Sequence, residues 1–154
     1  MLRILSGGLD QPDVIALLRI HLTDCRAQTG PESAHALDVT GLQAPDIAFW
    51  TIRDGDTLAG TGALKRLSAD HGEVKSMHTA VAMRGRGVGS AMLRHIIAAA
   101  RAEGLSRLSL ETGSWDYFRP ARAFYRAHGF VDCAPFGDYV PDRNSIFLTL
   151  GLQE

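Results

Sequence analysis

Cysteine is scarce and unpatterned. Only Cys25 and Cys133 occur, far apart and without a CxxC pairing. They read as small, buried or half-buried apolar residues of a reducing compartment rather than as parts of a disulfide or redox motif. Long apolar runs are also missing. No window approaches the roughly 18 continuous apolar residues of a membrane helix. The opening MLRILSGGLD has one Arg and too short an apolar run for a signal peptide. The expectation is a cytoplasmic protein with no membrane partner. A strong charge of one sign is absent too: the formal net charge of −1 argues against a general nucleic-acid binder. No His, Cys or carboxylate pair has metal-ligand spacing, so no metal is expected. There is no internal repeat and no low-complexity linker.

What is present suits one domain spanning 1–154. The chain has 154 residues, of which 45% are apolar, enough for a real core. Charge is unevenly spread: Lys65 to Arg101 holds seven Lys or Arg against Asp70 and Glu73. A local basic field in a near-neutral chain suggests a bound anion.

Periodicity gives the element order β-α-(loop)-β-β-β-α-β-α-β-β. A short strand in MLRILSGG precedes a helix carrying Val14, Leu17, Leu18, Leu22 and Cys25 at helical spacing, ending near Gly30. RDGD joins two strands of a hairpin. GEVKSMHTAV reads as a further strand. GVGSAMLRHIIAAARAEG is a helix whose apolar stripe is Val88, Met92, Leu93, Ile96, Ile97 and Ala100, with Gly104 as its stop. LSRLSLET is a strand. RPARAFYRAHG is a helix, with Pro120 near its start and Gly129 past its end. FVDCAPF and NSIFLTLGL are the last strands. The fold class is α/β, a mixed and mainly antiparallel central sheet flanked by helices.

RGRGVGSAML, Arg84 to Leu93, is the most informative stretch. A strand, a Gly-rich turn and a helix start present unpaired N–H groups and a positive dipole end to an anion. Arg84 and Arg86 add charge. The P-loop pattern is excluded because no Lys follows the glycines, and a dinucleotide GxGxxG fails at its third small position. Several extended segments also precede this turn, whereas a nucleotide fold uses its first strand. The remaining pattern is R-x-x-G-x-G: Arg84, Gly87, Gly89.

That pattern, with SMHTAV just before it and Tyr125 four residues ahead of Gly129-Phe130, resembles the GNAT superfamily of N-acetyltransferases. HALD at His35–Asp38, SLETG at Ser109–Gly113 and FGDY at Phe136–Tyr139 are similar to stretches of a bacterial subgroup. The resemblance covers essentially the whole chain. It implies acetyl-coenzyme A as co-substrate, direct transfer to an amine in a ternary complex, and a homodimer as one available assembly. It implies that main-chain groups of Met77, His78 and Thr79 receive the thioester and pantetheine, and that Arg84, Gly85, Arg86, Gly87, Val88, Gly89 and Ser90 hold the pyrophosphate. Tyr125 would be the acid to the departing thiolate, protonated at neutral pH because its ordinary pKa of about 10 exceeds the roughly 8.5 of a thiol. One departure stands out. Phe118 occupies the position of the family's commoner pantetheine-binding Asn.

Two carboxylates compete as base. Glu73 opens the strand before the turn, where the family often carries a Glu. Alternation would put Glu73, Lys75, Met77 and Thr79 on one face, and Val74, Ser76 and His78 on the other. Glu111 shares a face with Ser109 in a central strand, an unusual place for an acid. His78 is a further candidate because imidazole titrates near neutrality; His21, His95 and His128 are given no role. For the acceptor side, the resemblance points to His35, Asp38, Arg66, His71 and Tyr139. Trp50 is a further candidate but is favoured as core. The basic flank Arg66, His71 and Lys75 would suit an amino acid-like acceptor. A non-catalytic acyl-coenzyme A sensor is the alternative function.

Overall fold

The computed structural model describes residues 1–29 and 38–152. Seven strands form one sheet in the order β1-β2-β3-β4-β5-β7-β6. They are β1 (Leu2–Ser6), β2 (Ile47–Asp54), β3 (Thr57–Arg66), β4 (His71–Thr79), β5 (Arg107–Gly113), β6 (Val131–Asp132) and β7 (Ser145–Gly151). All neighbours are antiparallel except β4 and β5. The final FVDCAPF stretch yields a two-residue β6 only, so the strand expected there is much shorter than its apolar content suggested.

Helices cover both faces. On one face α1 (Pro12–Thr29) buries Val14 and Leu18 with Leu42 of α2 (Val39–Leu42), against Phe49 and Ala63 of the sheet. On the other, α3 (Val88–Ala102) and α4 (Arg119–Ala127) pack on a larger core that includes Ile52, Leu64, Val74, Leu108, Leu110 and Leu148. The α3 stripe is the one its periodicity requires: Val88, Met92, Leu93, Ile96 and Ala100 are buried, and Ile97 packs alongside. Trp50 lies on this face, edge-on to His95 with ring centroids 5.0 Å apart, partly buried and packed against the larger core.

Two features of β4 position the site. First, its parallel pairing with β5 is short, running only from His71↔Arg107 to Glu73↔Ser109. Past Glu73 the two strands part, and the main-chain groups of β4 that face β5 have no strand to pair with. Second, β4 carries a β-bulge. Ala63 pairs with Lys75 and Thr61 with His78, so Gly62 alone opposes Ser76 and Met77. Ser76 is the one described non-glycine residue with positive φ, at 53°. The Thr61 hydroxyl donates to the Ser76 carbonyl at 2.8 Å and fixes the bend.

The bulge overturns the simple alternation expected for this strand. An extra residue reverses side-chain parity beyond it. His78 therefore joins Glu73 and Lys75 on the α1 face, whereas Met77 turns to the α3 face and packs on the larger core.

Candidate active site

A cavity of about 620 Å³ occupies the gap between β4 and β5. It is lined by His21 and Cys25 of α1 on one face of the sheet, and by Phe124 and Tyr125 of α4 on the other. The opening thus passes through the sheet, between the parted strands. Lys75 to Thr79 form one wall and Leu110 to Gly113 the other.

The Gly-rich turn closes one end. Gly85 and Gly87 have φ of 78° and 79°, a conformation that side chains resist. Gly87 caps α3 without a side-chain hydrogen bond, so the first-turn N–H groups of Val88, Gly89 and Ser90 have no helical carbonyl to reach. Arg84, Gly85, Gly87, Val88, Gly89 and Ser90 all line the cavity. Arg86 is exposed and outside that lining. This cradle of free amides at a helix start fits a diphosphate. Phe118 packs directly on Gly113, where the ring leaves no room for a Cβ. The ring fills this wall and supplies no amide. Arg122 ties the same corner by donating to the carbonyls of Gly113 at 2.8 Å and Trp115 at 2.9 Å.

Tyr125 is 8% exposed, lines the cavity, and packs against Phe124 and Phe130. Burial raises its pKa further above the ordinary tyrosine value, so the hydroxyl stays protonated at neutral pH.

The two carboxylates are both in the wall but in different states. Glu73 is 3% exposed and spoken for. It accepts from the Tyr139 hydroxyl at 2.6 Å and pairs with Lys75 Nζ at 3.1 Å. Glu111 accepts one hydrogen bond, from Ser145 Oγ at 2.7 Å. Burial pushes its carboxyl up to about 7, opposed by that hydrogen bond and by Lys75. A carboxylate titrating near neutrality inside a cleft has the property a general base requires.

His78, brought round by the bulge, meets His21 with the two Nδ1 atoms 3.2 Å apart. One proton must lie between them, so the two rings hold complementary tautomers. Burial, and then His78, lowers His21 to about 4; His78 is lowered by burial and by Arg84. Both rings are neutral at neutral pH. His21 carries a place in the wall that sequence reasoning missed. Its signal was its spacing four residues before Cys25, on one side of α1.

The remaining acceptor-side candidates divide. Tyr139 reaches the cavity. Arg66 does not line it and pairs with Glu103 at 2.9 Å, and His71 bonds Ser109 Oγ at 2.7 Å where β4 and β5 are still paired. Asp38 caps α2 by accepting from Gly41 N at 2.8 Å. His35 lies outside the described residues. The basic flank expected to greet a carboxylate is therefore spent: Arg66 on Glu103, His71 on Ser109, Lys75 on Glu73.

Fold and cavity thus place a cradle suited to a diphosphate at one end of an opening that passes through the sheet. The family model described as "Acetyltransferase (GNAT) family" matches residues 15–130, and the chain belongs to that family. Two relatives carry it further. The chain is 47% identical over 154 residues, 100% of its length and 97% of the relative, to "Uncharacterized N-acetyltransferase YedL" of Escherichia coli (strain K12). It is 48% identical over 136 residues, 88% of its length and 90% of the relative, to "Uncharacterized N-acetyltransferase YsnE" of Bacillus subtilis (strain 168). Among solved structures, the putative acyl-CoA N-acyltransferase of Klebsiella pneumoniae superposes with a TM-score of 0.80 at 26% identity, covering 99% of both chains. The protein is an N-acetyltransferase, and acetyl-coenzyme A is its co-substrate. No helix among the described residues is long and apolar enough to cross a membrane.

Proposed function

We propose that this chain is one N-acetyltransferase domain that moves the acetyl group directly from acetyl-coenzyme A to the primary amine of a small molecule. The carrying observation is the cavity that crosses the sheet, with Tyr125 toward one face and Glu111 toward the other.

Acetyl-coenzyme A supplies the activated thioester. The free amides at the start of α3, with Arg84, hold its diphosphate. Unpaired main-chain groups of Met77, His78 and Thr79 take the extended arm as an added strand would be taken. An N–H of this stretch polarises the thioester carbonyl. Glu111 takes a proton from the acceptor ammonium, which leaves the nitrogen neutral and nucleophilic, and its titration near neutrality matches that task. Tyr125 gives a proton to the departing sulfur, and the second proton shed by the nitrogen as the amide forms restores its hydroxyl. Cys25 is no nucleophile, because burial raises its thiol to about 11. Glu73 is set aside as base because its carboxylate is engaged by both Lys75 and Tyr139. The engaged cations leave an acceptor carboxylate out of the proposal.

The test is release of coenzyme A thiol across a panel of uncharged-tail amines, polyamines and amino acids. Turnover with at least one small amine, and a weaker response to amino acids, is expected. Tight acetyl-coenzyme A binding without turnover on any amine would replace the enzyme with a sensor of the same fold.

A further inference from the structure

Glu73, Lys75 and Tyr139 make a closed triangle. Lys75 Nζ lies 3.1 Å from Glu73 Oε2 and 3.1 Å from the Tyr139 hydroxyl, which itself donates to Glu73 Oε2 at 2.6 Å. The Lys75 and Glu73 side chains are only 8% and 4% exposed. Tyr139 also sits against Phe136 and Phe147, which fixes its ring. Three polar groups are thus held with little freedom, in the wall of a cavity, at a considerable desolvation cost.

Their place in the sheet gives the triangle a neighbour. Glu73 pairs with Ser109 in the parallel ladder. Lys75 and Glu111 each stand two residues further on, on the same face, across the point where the strands part. Glu73, Lys75, Tyr139 and Glu111 all line the cavity.

We infer that Lys75, clamped by Glu73 and Tyr139, is a positioning residue that sets the protonation of Glu111, with Glu73 as counter-ion rather than proton acceptor. The inference rests on the reading of Glu111 as the base and adds what tunes it. Lys75 favours the ionised Glu111, and Glu73 opposes it. Among the described residues, the other groups facing Glu111 are Ser145 of β7, which donates to it, Asp142 and Tyr139 of the β6–β7 connection, and Cys25 of α1. None of these is a cation. A buried carboxylate with no cation beside it would stay protonated too far above neutrality to act; one facing an unpaired lysine would be too weak a base.

The chain has five glutamates, so a protein labelled with 13C at the glutamate side-chain carboxyl gives few resonances, and Glu111 is assigned by the one lost in Glu111→Gln. In Lys75→Met the Glu111 titration should rise by about one pH unit or more, and in Glu73→Gln it should fall by a similar amount, the size of effect that a close charge exerts. The double variant Glu73→Gln/Lys75→Met removes both members of the ion pair together, so neither is left without its partner, and it should fold as the parent does below the Glu111 titration. Its Glu111 should titrate between the two single variants. A structural role alone would not move one group in opposite directions. Shifts in the same direction, or none in any variant that folds, would overturn the inference. The reading of Glu111 as base fails separately, if Glu111→Gln keeps its turnover.

Discussion

Glu111→Gln is expected to cut acetyl transfer by about 10²–10⁴-fold, the usual yield of a positioned general base, while leaving acetyl-coenzyme A affinity within about threefold. The same substitution should make the protein more stable at high pH. The folded carboxyl titrates at about 7, above its ordinary 4.5. Stability from this group is therefore full below 4.5 and is lost as pH rises through 7, because the folded state must then hold a buried charge. A glutamine carries no such charge, and its amide oxygen still accepts from Ser145. At pH 8 the gain should be on the order of 2 kcal/mol, read by chemical denaturation at pH 5 and pH 8. Loss of activity with gain of stability marks a group kept for chemistry rather than for the fold. If activity persisted, the acceptor would have to arrive already neutral, and Glu111 would leave the mechanism.

Tyr125→Phe carries the second large effect. The hydroxyl projects from a helix whose ring packing is otherwise apolar, against Phe124 and Phe130. Removing one oxygen leaves that packing intact, so thermal stability should change little. Turnover should fall about 10²–10³-fold, as for loss of a positioned general acid. Acetyl-coenzyme A affinity should hold, and the ascending pH limb set by Glu111 should stay in place. A proportional loss of cofactor affinity would make Tyr125 a binding group; unchanged turnover would remove it as the acid.

Several features could be read from residues in order. The α3 stripe and its stop, the Gly-rich turn at Arg84–Ser90, and the strand-turn-helix order follow from local periodicity and glycine placement. Tyr125 was legible because helix, ring and following glycine sit within six residues. What failed involved partners distant in sequence. Glu73 reads as one of two competing bases at the start of a strand, and only the fold shows Tyr139, 66 residues on, and Lys75 engaging its carboxylate. Arg66 and His71 suggested an anion site because their positive or titratable groups cluster in sequence, yet Glu103 and Ser109 take them. His78 was assigned to the wrong face because strict alternation assumes an unbroken strand. One residue of left-handed backbone at Ser76 reversed it, and serine gives no warning of positive φ as glycine would. His21 then acquired its place only through His78.

The central claim is that acetyl passes straight across the sheet, with no covalent stop on the protein. Initial rates measured over a grid of acetyl-coenzyme A and amine concentrations test it most directly, with the mass of the enzyme recorded after exposure to acetyl-coenzyme A alone. Intersecting double-reciprocal lines and an unmodified protein are predicted. Parallel lines, together with an acetyl group carried on Cys25, would contradict it.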